Sequence, residues 1–369
     1  TGKFIYVPKI ISPDISGYAT DPDTGALTEL AGSPFTANGD PPRVIAVDPN
    51  EKFLYVFGSV DFPDGPSTIA GYTIDAASGA LTAIPGGVVS LPAGTPSPGA
   101  FHPNGGLLYV PIGDGLASSP NNGLFAFTID AASGALTAAP GSPYTFNGEG
   151  IPRTPTLGAS GEYLYVPNAA GTPSGTGLTV THSEIAVYSV NTATGALTPA
   201  SSVTGTGVVN EVALHPNGDY LYTRDADQSN MIFDIDSATG ALSGPASAPN
   251  GWGAGVLFSR TGDFVYLPTA VVAAPGAPPG PSSVRAYSVS GTTLTELPGS
   301  PHPTAQGTTL GSVIDPSGSL LVTSDLGGNQ IFAFKIDAAT GVLTDVPGSP
   351  FTPDVGTNLP GVVTFDPSG

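Results

Sequence analysis

The stretch Asp48-Pro-Asn-Glu-Lys-Phe-Leu-Tyr-Val56 decides how the chain is read, because it keeps returning. It comes back as His102-Pro-Asn-Gly-Gly-Leu-Leu-Tyr-Val110, Ala159-Ser-Gly-Glu-Tyr-Leu-Tyr-Val166 and His215-Pro-Asn-Gly-Asp-Tyr-Leu-Tyr-Thr223. Two further copies are Ser259-Arg-Thr-Gly-Asp-Phe-Val-Tyr-Leu267 and Asp315-Pro-Ser-Gly-Ser-Leu-Leu-Val-Thr323. A seventh is split: the chain ends Phe365-Asp-Pro-Ser-Gly369 and begins Thr1-Gly-Lys-Phe-Ile-Tyr-Val7. In each copy a turn of Pro, Asn, Ser and Gly feeds an aromatic and β-branched run, which reads as strand–turn–strand. Self-similarity at this period signals a repeat architecture.

Two more anchors follow in fixed order. A strand closing on Ile-Asp leads through a turn into Gly-Ala-Leu-Thr at Gly25–Thr28, Gly79–Thr82, Gly134–Thr137 and Gly195–Thr198. Gly240-Ala-Leu-Ser243, Gly291-Thr-Thr-Leu-Thr295 and Gly341-Val-Leu-Thr344 are variants. Gly-Ser-Pro plus a ring then closes four of the units, at Phe35, Tyr144, His302 and Phe351. Each unit therefore holds four short strands, A to D, exemplified by Val44–Val47, Phe53–Val56, Ile69–Ile74 and Leu81–Ile84. The B strands centre on Tyr6, Tyr55, Tyr109, Tyr165, Tyr222, Tyr266 and Val322, a spacing that leaves no room for an eighth unit. Seven four-stranded units predict an all-β fold, a seven-bladed β-propeller forming one domain over residues 1–369. Residues 361–369 carry an A strand with no B strand after it, and Lys3–Val7 is a B strand with no A before it. The C-terminal strand is expected to complete the first blade; pairing with the first blade of a second molecule is the open alternative.

Composition narrows the function classes. The 51 Gly and 40 Pro fit turns in an all-β chain, and 40% apolar residues suffice for a large core. Nine Lys and Arg against 29 Asp and Glu give a net charge of −20, which disfavours nucleic acid and anionic membrane as partners. Zero Cys excludes disulfides, Cys-type zinc sites and thiol catalysis. No apolar run reaches the length of a membrane span. The start at Thr1 reads as a processed or trimmed end, and low Lys with abundant Thr, Ser, Gly and Pro suits an extracellular or cell-surface protein.

In antiparallel blades the A–B and C–D turns share one face and the B–C and D–A loops share the other. The first set is short and repetitive, so it reads as scaffold; the second varies, with long B–C loops at 167–184 and 268–283. Variable loops on a rigid ring are where sites collect. His102 and His215 fall in the scaffold turns, as backbone-bonding turn residues. His182, in the B–C loop of the fourth blade, and His302, in the D–A loop of the sixth, fall on the variable face. Arg43 and Arg153 each follow a proline at the head of an A strand, near the channel mouth, where two arginines could hold a carboxylate or sugar acid. Pairing with the loop acids Asp40 and Glu149 is the structural alternative. Trp252, flanked by glycines, could stack on a sugar or plug the channel. Asp61/Asp64 and Asp225/Asp227 lack the spacing of a calcium loop, so no metal and no cofactor is expected. No nucleophile elbow, His-Glu-x-x-His, phosphate loop or dinucleotide fingerprint is present.

The repeat Asp-Pro-x-Gly-x-Phe-Leu-Tyr-Val … Tyr-x-Ile-Asp-x-x-Thr-Gly-Ala-Leu-Thr … Pro-Gly-Ser-Pro-Phe resembles the lactonase-like seven-bladed β-propellers, over all seven blades. That family includes a bacterial 6-phosphogluconolactonase and fungal cycloisomerases acting on muconates. The resemblance implies a site at the channel mouth, with Pro-Arg-His or Pro-x-His at the heads of A strands. Here Pro42-Arg43 is followed by Val44 and Pro152-Arg153 by Thr154, so the arginines match and the histidines are gone. The other heads read Ser97-Pro98, Val209-Asn210, Gly251-Trp252, Thr308-Thr309 and Asn358-Leu359. Lactone opening needs a base or metal and an oxyanion stabiliser. The sequence reading therefore favours a non-catalytic binding or structural module that associates with itself or a cell-surface partner through the apolar stretch 269–281. A lactone hydrolase or cycloisomerase using Arg43, Arg153 and His302 or His182 is the alternative, and a carbohydrate-binding propeller using Trp252 is a third reading.

Overall fold

The structure, a computed structural model, describes residues 3–9, 12–21, 24, 26–60, 65–113, 121–145, 150–174, 177–205, 208–225, 230–249, 255–269, 281–306, 309–325, 329–352 and 364–365. Seven antiparallel sheets follow one another, each ordered A-B-C-D, and together they form a seven-bladed β-propeller. Blade 2 shows the plan: A is Pro42–Val47, B Phe53–Ser59, C Ser67–Ile74 and D Leu81–Leu91. Its D strand runs well beyond the expected Leu81–Ile84. In blades 3 and 4 the A strand is broken into two short pieces, Thr95–Pro96 with Ala100–Phe101 and Ile151–Pro152 with Thr156–Leu157. Blade 1 takes its A strand from the far end of the chain, with Phe365 opposite Ile5 and Thr364 opposite Tyr6. The expected closure within one ring is therefore what the fold contains.

The B strands carry the densest burial because they are covered on both faces. All seven residues of Phe53–Ser59 are buried, and so are all six of Leu320–Asp325. Alternate side chains face opposite neighbours. Leu54 and Val56 pack with Phe4 and Tyr6 of blade 1, whereas Tyr55 and Phe57 pack with Leu108 and Val110 of blade 3. The core is thus a set of seams between blades.

The repeated tyrosine ties each seam. Tyr55 Oη donates to the Gly134 carbonyl (2.8 Å), in the C–D turn of the next blade. Tyr6 to Gly79 (2.8 Å), Tyr109 to Gly195 (3.1 Å), Tyr222 to Gly291 (3.3 Å) and Tyr266 to Gly341 (3.0 Å) repeat that bond. Gly134 has φ +73°, and a Cβ there would stand 2.5 Å from the Phe53 ring, so both the turn and the seam require glycine. The scaffold turns behave as expected. Asp48 accepts from the backbone N–H groups of Asn50, Lys52 and Phe53. His102 Nδ1 accepts from Asn104 N (3.1 Å), and His215 Nε2 donates to the Gly262 carbonyl of the next blade (3.0 Å).

The long B–C connection of blade 4 is a correction to the sequence reading. Strand B runs Tyr163–Ser174 and strand C Gly177–Val190, paired almost to their tips. The stretch read as a loop over 167–184 is a projecting hairpin. Of the apolar stretch 269–281, only Thr269 and Pro281 lie among the described residues.

Candidate active site at the channel mouth

The A strands of neighbouring blades touch each other, as where Thr154 of blade 4 bridges Glu211 of blade 5 in parallel, so they line the centre of the ring. At the head of the A strand the register slips by one residue. In blade 2 Pro42 faces Gly58 and Val44 faces Phe57, with Arg43 between them at the register shift. In blade 5 Val209 faces Asp225 and Glu211 faces Arg224, leaving Asn210 in the same position. Blade 7 repeats this with Thr309 opposite Asp325, Gly311 opposite Ser324, and Leu310 between. In blade 4 Pro152 faces Asn168 and Thr156 faces Tyr165, which puts Arg153 at the equivalent place. Ser97 holds it in blade 3 by the same register. A bulge re-aims the residue it frees, and bulges collect beside active sites. Arg43, Ser97, Arg153 and Asn210 therefore form an arc over four successive blades. The repeat as read from the sequence puts the heads of blades 3 and 7 at Ser97-Pro98 and Thr308-Thr309; strand pairing corrects them by one residue, to Pro96-Ser97 and Thr309-Leu310.

Arg153 has the most distinctive surroundings in this arc. Its backbone N donates to the Pro167 carbonyl (2.8 Å), which fixes the head of the strand. Its Nε is buried without a hydrogen-bond partner, and no carboxylate among the described residues pairs with it. Burial lowers its pKa, and the neighbouring Arg224 cation lowers it further. Arg224 is itself held: its Nε donates to Glu211 Oε2 (3.0 Å), and both side chains remain about one quarter exposed. The Arg224–Glu211 pair was missed in the sequence. A signal existed, since the position of Arg224 is proline in four other B strands, at Pro8, Pro111, Pro167 and Pro268. A charged residue there breaks the repeat.

The other candidates separate. Arg43 stands two blades from Arg153, across Ser97. His302 is not in a D–A loop but in an added strand, His302–Gln306, opposite Val284 of strand C. That is the place of Phe35, Tyr144 and Phe351 in their blades. His302 thus lies on the outer edge of blade 6, edge-on to Phe334 of blade 7 (6.2 Å between ring centres). The sequence carried the signal, since His302 follows Gly-Ser-Pro as Phe35, Tyr144 and Phe351 do, but not the strand pairing that moves this slot to the blade edge. His182 is in strand C of the projecting hairpin, opposite Ala170, with its side chain outside the described part. Trp252, Glu149, Asp61, Asp64 and Asp227 lie outside the described residues. Among the described residues no cluster of His, Cys, Asp and Glu has the makings of a metal site.

Comparison with known proteins settles the family. The model of the lactonase seven-bladed β-propeller family matches residues 169–357, half of the chain. The chain belongs to this family. Three solved structures share the fold over nearly their whole length. They are a Lactobacillus plantarum protein (18% identity, 99% of each chain, TM-score 0.72), a Bacteroides fragilis protein with the provisional name 6-phosphogluconolactonase (18%, 98% of this chain and 97% of that one, 0.72), and the periplasmic gluconolactonase of Pseudomonas aeruginosa (17%, 98% of each, 0.72). At such identities the likeness is one of fold. No curated protein matches the chain. No helix among the described residues is long and apolar enough to cross a membrane.

Proposed function

We propose that this lactonase-family propeller hydrolyses a sugar-acid lactone at the mouth lined by Arg153, Arg224 and Glu211. The observation that carries the reading is Arg153, a buried Nε with no partner of its own beside a second guanidinium. Cations held that way suit a site where negative charge appears during reaction. Lactone hydrolysis creates such charge first on the carbonyl oxygen and then in the product carboxylate. Arg153 is the stabiliser of that oxygen, and Arg224 adds to the field.

Glu211 is the candidate base, with Oε2 held by Arg224 and the side chain open to solvent. In the proposed step a water oxygen bonds to the lactone carbonyl carbon while Glu211 takes one water proton. The ring carbon–oxygen bond then breaks, and the leaving alkoxide receives that proton, giving the hydroxy acid and restoring Glu211. A neutral lactone suits a chain of net charge −20 better than a phosphorylated one. The likeness to a periplasmic gluconolactonase and the low Lys content support placement outside the cytoplasm.

The test is the initial rate of D-glucono-1,5-lactone hydrolysis by pH-stat, corrected for the spontaneous reaction. The wild type is expected to exceed background, with Glu211→Gln reducing kcat by about 10²- to 10⁴-fold. A wild type indistinguishable from background across a panel of sugar lactones would remove the reading.

A further inference from the structure

The residue at the foot of strand C carries a polar side chain that reaches the next blade. In blade 2 Ser67 Oγ donates to the Gly94 carbonyl, three residues before Ser97. In blade 3 Asn122 Nδ2 donates to the Gly150 carbonyl (2.8 Å), three residues before Arg153. In blade 4 Ser183 Oγ accepts from Val209 N (3.1 Å), one residue before Asn210. Ser67 and Ser183 face Ser59 and Ala169 at one register position, and Asn122 precedes Gly123, which faces Ile112, so it shares that position. All three are at least nine-tenths buried. Three successive bulge residues of the mouth are therefore anchored by the blade before them.

The anchor ahead of Arg153 has a second side. A Cβ on Gly150 would fall 2.1 Å from Asn168 Oδ1 and 2.3 Å from Nδ2, so the Asn168 amide lies directly on the Gly150 backbone. Asn168 is 3% exposed and adjoins Pro167, whose carbonyl receives the Arg153 N–H. Gly150 is thus gripped by Asn122 from blade 3 and by Asn168 from its own blade.

We infer that Asn122 is a positioning residue for Arg153, setting from the neighbouring blade where its guanidinium stands in the mouth. The inference deepens the proposed function and rests on Arg153 being the group that meets the ligand. A carbonyl that loses its buried donor costs free energy until it shifts toward another donor, and that shift disturbs the three-residue lead to Arg153. Between Gly150 and Arg153 the chain is the short buried strand Ile151–Pro152, paired with Ala169 and Asn168, so a displacement at Gly150 is carried along a stiff lead to Arg153.

The experiment compares wild type, Asn122→Ala, Asn122→Asp and the control Ser67→Ala, which breaks the equivalent bond one seam earlier. The first readout needs no ligand: the Nε–Hε resonances of the five arginines, with Arg153 assigned by Arg153→Lys. The Arg153 resonance is expected to move in both Asn122 variants and to stay in Ser67→Ala, while all lower Tm. The second readout is D-gluconate binding by calorimetry. Asn122→Ala should weaken it about tenfold, and add nothing in an Arg153→Ala background. An Arg153 resonance unmoved in the Asn122 variants, or moved equally by Ser67→Ala, would overturn the inference even if lactone is hydrolysed. A moved resonance in a protein that neither binds gluconate nor hydrolyses lactone would keep the positioning role and sink the hydrolase reading.

Discussion

Replacing Tyr55 by Phe removes one oxygen from the seam between blades 2 and 3 and nothing else. The hydroxyl is 0% exposed with its residue and donates to the Gly134 carbonyl at 2.8 Å. A buried neutral hydrogen bond is worth about 1 kcal/mol, and leaving its acceptor unpaired adds about 1–2 kcal/mol. Because glycine is required at 134, the turn is held against the Phe53 ring and cannot easily turn its carbonyl to solvent. We therefore expect a loss of about 2–3 kcal/mol. With unfolding entropy scaling with chain length, that is a fall in Tm of roughly 2–4 °C. The assay is urea unfolding followed by tyrosine fluorescence, with the m-value checked for constancy. The same change at Tyr109 or Tyr266 should give a similar loss, and two such changes should add, since their seams share no residues. A Tyr55→Phe protein as stable as wild type would refute the idea that the hydroxyls, rather than the rings, tie the seams.

Other outcomes follow from the same geometry. Burial raises the pKa of Tyr165, Tyr188 and Tyr222 from 10.0 to about 12, and raises those of Tyr55, Tyr109 and Tyr266 as well. The unfolded chain ionises first, so this stability is complete below pH 10 and falls as pH rises toward 12, which a pH series of melting curves would record. Asp75, Asp130, Asp236 and Asp337 sit in the C–D turns with their pKa lowered by hydroxyl and backbone N–H donors, as from Ser78 to Asp75. Their contribution is present above about pH 4 and is lost as pH falls below it, so Asp75→Ala should flatten the acid limb of the same series. Gly134→Ala places a methyl 2.5 Å from Phe53 at a positive φ and should destabilise by more than the about 1 kcal/mol of an unconstrained site, measured by urea unfolding.

The fold was legible because the repeat writes the same turn and tyrosine into almost every blade. Tyr55 and Gly134 lie 79 residues apart, yet each is fixed by its place in its own unit. The site was legible only in part. Arg43 and Arg153 stood out as rare cations after prolines, but their depth in the mouth depends on a one-residue slip that no local pattern announces. Arg224 and Glu211 are 13 residues apart and meet only because strands A and B pair in that register. His302 misled because an added edge strand gives a histidine the slot that Phe and Tyr occupy in other blades. The blade 4 hairpin was read as a loop because Gly, Pro and Thr punctuate it, whereas pairing across Tyr163–Ser174 and Gly177–Val190 overrides those local preferences.

The most direct measurement is a calorimetric titration of D-gluconate, the product anion of the proposed reaction, into wild type and Arg153→Ala at low and moderate salt. The account predicts saturable binding to the wild type that weakens about 10- to 100-fold in the variant, as loss of a charged hydrogen-bond partner implies. Equal binding to both proteins, or none to the wild type, would contradict the claim that Arg153 makes the channel mouth a lactone site.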